Sequence, residues 1–174
     1  LPVCCHRFTM KSVMFASTVA VASAGGSLSV TWEDCGTSTT HGKTLDVQPT
    51  AITLGEDTAM TGSGTVDKDV SGGTYTIEAK AGGGLIHQTY SGNNCEAKTF
   101  NLPLGVGSVS WDGLDCPTPA GDQTIGFHVK LAAALPASMA TATIAMKAVD
   151  QDSEDLICVN VKTAASFGAE RTYD

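Results

Sequence analysis

The 174-residue chain is poor in the features most binding and catalytic classes need. Basic residues are scarce, with 10 Lys and Arg against 18 Asp and Glu. A chain this acidic is a poor nucleic-acid ligand and docks weakly on anionic membranes at neutral pH. There is no G-x-S-x-G elbow and no Walker loop, so the motif-defined hydrolases and NTPases drop out. The histidines form no H-x-H or H-E-x-x-H pattern, and no C-x-x-C spacing suggests zinc or redox chemistry. Past the first 24 residues, no segment is long and apolar enough for a membrane helix, and none shows a long helical period. No catalytic residue, metal site or cofactor is expected, and the protein is read as a non-enzyme.

Residues 10–24, "MKSVMFASTVAVASA", have the anatomy of a secretory signal peptide. Lys11 supplies a short positive region, Val13 to Ala22 an apolar one, and Ala22-Ser23-Ala24 a cleavage motif. Residues 1–9 are read as an upstream segment outside the native protein, which sets Cys4 and Cys5 aside. The expected mature chain is Gly25–Asp174, a single domain of 150 residues. Without Arg7 and Lys11 the 10 basic residues fall to 8 against 18 acidic, a net −10.

What is abundant is short alternation broken by turn residues. Runs at 28–33, 44–52, 58–66, 73–80, 84–90, 122–132, 139–149 and 155–163 read as strands. In "TIGFHVKL", Ile125, Phe127, Val129 and Leu131 share one face. Tyr75, Ile77 and Ala79 do so in "GGTYTIEAK", and Ala140, Ala142, Ile144, Met146 and Ala148 in "MATATIAMKA". The Gly- and Pro-rich stretch 101–121 reads as a long irregular connection. "GSGTV" at 62–66 lacks the Lys and helix of a nucleotide loop and reads as a glycine-kinked strand. Asp150, Asp152, Glu154 and Asp155 lack calcium-loop spacing and read as a solvated hairpin tip. Many short strands at this spacing indicate an antiparallel sandwich or barrel.

Cys35, Cys95, Cys116 and Cys158 remain, and an even count in a secreted chain reads as two disulfides. Three pairings are open. If the first and last strands are neighbours, a Cys35–Cys158 bridge closes a loop of about 120 residues, worth roughly 4–5 kcal/mol in the chain-entropy model. Cys95 and Cys116 are then left to pair across the irregular segment.

"WEDCG" early, then "PTAITLGEDTAMTGSGTV", "LDCPTPAGDQTIGFHVKL" and a late "LICVNV" resemble the ML (lipid-recognition) domain family over about residues 30–163. The resemblance implies an all-β fold: an immunoglobulin-like antiparallel two-sheet β-sandwich with an apolar cavity between the sheets. It implies a Cys35–Cys158 bridge, and a Cys95–Cys116 bridge around the cavity-entrance loops. It also implies a lipid partner (a sterol, phospholipid or glycolipid), transient membrane-surface contact, and a hydrolase or receptor as a further partner. The location implied is secreted, or the lumen of a lysosome or vacuole. The chain lacks the short-spaced cysteine pair many relatives carry after the first strand, which leaves "GTSTTHGK" (36–43) untethered.

On that frame the cavity is assigned to Tyr75, Ile77, Ile125, Phe127, Val129, Leu131, Ile144 and Met146. Alanines on 139–149, with Gly62, Gly64 and Gly126, leave the space. The mouth is assigned to Leu85, Ile86, Leu102, Leu104, Val106 and Trp111, in loops rich in Gly and Pro. Two alternatives accompany this reading: an immunoglobulin-like adhesion module with a filled core, and a cofactor that presents lipid to a separate hydrolase.

Overall fold

The computed structural model describes residues 26–166. The expected signal peptide and upstream segment lie outside the described residues. Eleven strands are formed: β1 (Ser27–Asp34), β2 (Gly42–Gln48), β3 (Ala51–Thr53), β4 (Asp57–Val66), β5 (Gly73–Ala81), β6 (Ile86–Asn93), β7 (Lys98–Asn101), β8 (Gly107–Trp111), β9 (Gly121–Leu131), β10 (Ala142–Asp150) and β11 (Asp155–Ser166). One short helix, α1 (Ala137–Ala140), precedes β10. Sheet A runs β3-β1-β11-β10-β5-β6 and sheet B runs β2-β4-β9-β8-β7. All pairings are antiparallel, so the fold is a two-sheet β-sandwich.

Three of the expected elements differ. The run 44–52 is split into β2 and β3, which belong to opposite sheets. Pro49 between them has no N–H to carry a ladder across the break. The stretch 101–121 is not irregular throughout, because β8 pairs with both β7 and β9. Alternation in "VGSVSW" carried that strand, but its flanking glycines masked it. Residues 137–140 form α1 rather than the start of a strand, after Pro136.

The first and last strands are neighbours, with Asp34 opposite Val159. One residue further on, the Cys35 N–H donates to the Cys158 carbonyl at 2.9 Å. The Cys35–Cys158 disulfide forms there, with Cα atoms 4.9 Å apart across a separation of 123 residues. Cys95 and Cys116 form the second disulfide.

Strand directions define two ends. The Gly82–Leu85 turn, the Pro103–Gly105 turn and the 132–141 connection share one end. Loops 35–41, 67–72, 94–97, 112–120 and 151–154 share the other. The Cys95–Cys116 bridge therefore sits at the end opposite the Leu85 and Leu104 turns, not around them. The cause is direction: β6 and β8 both run toward that far end.

Segment 36–43 is held without a cysteine pair. The Asp34 carboxylate accepts from the Gly36 N–H at 2.9 Å and from the Thr44 N–H at 2.7 Å. His41 contacts Asp67 through Nδ1 at 2.8 Å and Glu154 through Nε2 at 3.1 Å. The adjoining hairpin tip is not simply solvated, because the Asp150 side chain is fully buried. Lys68 Nζ lies 2.6 Å from Asp150, 3.1 Å from Asp152 and 2.7 Å from Glu154.

Burial opposes charge on Asp150, but Lys68 and the backbone N–H groups of Asp152 and Glu154 outweigh it and hold the carboxyl below its ordinary value. A carboxyl lowered by folding contributes stability above its unfolded pKa of about 3.9, and that stability is lost as pH falls through the folded value. Thermal melting of the wild type should therefore hold between pH 5 and 7 and drop below about pH 4. Asp150→Asn should melt lower at neutral pH and show a smaller acid-dependent drop; an unchanged acid slope would contradict the role given to Asp150.

Candidate functional site: an apolar cavity between the sheets

The interior is not one continuous core. Leu28, Val30, Val47, Ile52, Met60, Val129 and Ala140 form one buried cluster. Val66, Val70, Tyr75, Phe100, Trp111, Ala148 and Leu156 form a second. A cavity of about 310 Å³ lies between the sheets, lined almost entirely by apolar side chains. That is at the lower end of the size of small-molecule sites, roughly 300–1,000 Å³, and far above the space one water needs, about 10–15 Å³.

Alternation builds its walls. Sheet A contributes Ile77, Ala79 and Ala81 from β5, Ile86, Gln88 and Tyr90 from β6, and Ala142, Ile144 and Met146 from β10. Sheet B contributes Met60 and Gly62 from β4, and Ile125, Phe127, Val129 and Leu131 from β9. Small residues leave the space. At Gly62 a Cβ would meet nothing nearer than Phe127, at 4.0 Å, so the position is open. Gly64 lines the cavity for another reason: a Cβ there would collide with the Lys43 carbonyl of β2. Gly126 does not contribute to the void. It faces outward beneath Asp112, as the opposite parity to Ile125 and Phe127 requires.

Of the eight residues assigned to the cavity, Ile77, Ile125, Phe127, Val129, Leu131, Ile144 and Met146 line it. Tyr75 does not. Its ring lies over Gly92, its cross-strand partner, and packs on Phe100 and Trp111 with centroids 6.2 and 5.4 Å away. Burial pushes its hydroxyl pKa up.

Of the six residues assigned to the mouth, Ile86, Leu102 and Val106 are half-buried and line the cavity near the Leu85 end. Leu85 and Leu104 are 93% and 83% exposed at the tips of their turns and line nothing. Trp111 is a cavity residue but not a mouth residue. It is 8% exposed and closes β8, pairing with Lys98 at the far-end start of β7. Glycines near Trp111 in the sequence suggested a loop, whereas its strand carries it inward.

Sequence reasoning missed Gln88, Leu135, Met139 and Val161, all of which line the cavity. The signal for Gln88 was present, since Ile86, Gln88 and Tyr90 alternate in "IHQTY". Gln88 is an exposed polar residue at an inward register on edge strand β6. At the far end, ligand-type atoms of His41, Asp150 and Glu154 lie within 4.8 Å of one another. The Lys68 ammonium already serves two of these carboxylates, so the cluster is an ion-pair network.

Fold and cavity together define a β-sandwich with an apolar cavity between its sheets. The sequence matches the ML domain family over residues 29–165, and the chain belongs to that family of lipid-binding proteins. Among solved structures it is similar to a Niemann–Pick type C2 protein from the Japanese carpenter ant. The two are 16% identical, the match covers 78% of this chain and 98% of that one, and the TM-score is 0.47. No curated protein matches the chain.

Two substitutions separate wall from rim. Phe127→Asp should lower the melting temperature and abolish lipid binding, because an unpaired carboxylate in an apolar wall is strongly disfavoured. Leu104→Asp should change stability by less than about 0.5 kcal/mol, as expected for an exposed position, and at its φ of 59° aspartate is better tolerated than leucine. Thermal melting with a fluorescent-lipid transfer assay reads both. Normal binding by Phe127→Asp, or a large loss of stability in Leu104→Asp, would reverse the assignment.

Proposed function

We propose that the protein is a lipid carrier of a secretory or endolysosomal lumen. It holds a sterol, phospholipid or glycolipid between its sheets and exchanges it with bilayers at the Leu85 end. The observation that carries this reading is the apolar cavity of about 310 Å³, which a filled-core adhesion module would not have. Each buried CH₂ of a ligand is worth about 0.8 kcal/mol, so a long hydrocarbon body offsets an association cost of several kcal/mol. Two disulfides suit an oxidising compartment.

Leu85 and Leu104 support bilayer contact, because they place bare apolar side chains beside the cavity residues Ile86, Leu102 and Val106. Charge supports it too. Acidic residues crowd the far-end loops, with Asp67, Asp69, Glu96, Asp112, Asp115 and Asp152 among them. Exposed Lys80, Lys130 and Lys162 lie toward the Leu85 end and offset Glu56 and Asp57 there. The overall acidity thus understates how this end meets an anionic surface.

A cavity-filling variant tests the reading. Ala79→Phe adds bulk on the sheet A wall where the structure has space. It should keep the melting temperature within a few degrees of the wild type and weaken binding of a fluorescent sterol or fatty-acid probe at least tenfold. Unchanged binding by a folded Ala79→Phe would show that the ligand sits elsewhere.

A further inference from the structure

A sheet that ends on an unpaired strand presents a row of free N–H and C=O groups, and proteins blunt such edges with short strands, bulges, charges or proline. Of the strands that end the two sheets, β3 is 3 residues long, and β7 is 4 residues long and carries Lys98. β2 is bulged between Thr44 and Asp46 and carries Lys43 and Asp46. β6 has none of these devices. It runs for 8 residues, "IHQTYSGN", without proline, Asp, Glu, Lys or Arg, and pairs with β5 without a bulge. The strand is free of acidic residues in a chain that has 18 of them.

The free groups of β6 can be placed. The Ser91 carbonyl accepts from Lys98 Nζ at 2.7 Å, so it points away from β5. Ladder groups alternate along an antiparallel strand, so His87 and Thr89 direct their N–H and C=O groups outward as well. Ile86, Gln88 and Tyr90 have the other parity: their backbone groups face β5 and their side chains line the cavity. We propose that β6 pairs antiparallel with β6 of a second copy of this chain, about a two-fold axis at Gln88, which joins the two A sheets into one.

That register is self-complementary at every pair. His87 meets Thr89 of the second copy, and Thr89 meets its His87, so the outward N–H and C=O groups bond across the axis while the Lys98–Ser91 contact is kept. Ile86 meets Tyr90, an aliphatic–aromatic pair of the kind that stabilises sheets. On the axis itself Gln88 meets Gln88. A side-chain amide both donates and accepts, so it pairs with its own image, whereas a carboxylate or an ammonium group would repel its own. This accounts for a polar residue that is exposed at an inward register. The symmetry sends the Leu85 turns of the two copies in opposite directions, since each turn leads directly into β6. One strand pair is a smaller contact than the roughly 1,200–2,000 Å² of stable interfaces, so the dimer is weak. The inference does not depend on what the cavity holds.

Sedimentation velocity on the full chain, in a concentration series that reaches millimolar, reads the association. The mass should move from one copy toward two as concentration rises. Thr89→Pro removes an outward N–H that β5 does not use, a substitution edge strands tolerate. It should keep the fold, checked by thermal melting, and weaken association at least tenfold. Cysteine placement reads the register without relying on that variant. Non-hydrogen-bonded partners in an antiparallel pair have Cα atoms about 4.5 Å apart, within the disulfide range of about 4.4–6.8 Å. Under mild oxidation Gln88→Cys should therefore cross-link two copies above the wild-type background, and Thr89→Cys, which faces His87 rather than itself, should not. A mass that stays monomeric throughout overturns the proposal. So does a dimer that survives unchanged in folded Thr89→Pro, or cross-linking no greater at Gln88→Cys than at Thr89→Cys, because either places the contact elsewhere.

Discussion

The structure depends on keeping its two sheets apart between two packed clusters of large side chains. A sandwich of this size normally closes on one contiguous core. Here the buried residues fall into two clusters, one led by Leu28, Val30, Ile52 and Met60, the other by Tyr75, Phe100, Trp111 and Leu156. Between them the walls carry Ala79, Ala81, Ala142 and Gly62, which do not reach across. The two clusters act as pillars. The cavity exists because the large side chains are concentrated in them rather than spread along the strands.

Each pillar needs its strands fixed, and the fixings differ. The Cys35–Cys158 disulfide ties β1 to β11 where their ladder ends. The region after β1 has no second bridge, and the Asp34 carboxylate holds it by accepting two backbone N–H groups. Lys68 gathers three carboxylates and joins the 67–72 loop to the β10–β11 hairpin. These polar ties lie at the far end, around the aromatic pillar. The Leu85 end has open glycine turns, with nothing close to Gly83, Gly84 or Gly105. That contrast leaves the Leu85 end the less constrained one.

Alternation was the most legible signal. It gave the long strands, and through them seven cavity residues from Ile77 to Met146, because period two directly reports which face a side chain takes. What alternation does not report is depth along the strand. Tyr75 has the right parity for the interior, yet sits behind Trp111 in the pillar instead of facing the void. Trp111 has a loop-like neighbourhood in sequence, yet lies at the inner end. Both positions depend on strand register between distant segments, which local pattern does not encode. The burial of Asp150 was hidden likewise, since its partner Lys68 is far from it in sequence. The disulfide pairing followed from which strands are neighbours, but the end of the sandwich that Cys95–Cys116 occupies required the direction of β6 and β8.

The central claim is that the space between the pillars holds lipid. Native mass spectrometry of the protein purified from a eukaryotic secretory host tests this most directly. The account predicts a protein-plus-lipid mass that shifts to the apo mass on delipidation and returns after incubation with liposomes. Only the apo mass, before and after that incubation, would contradict it.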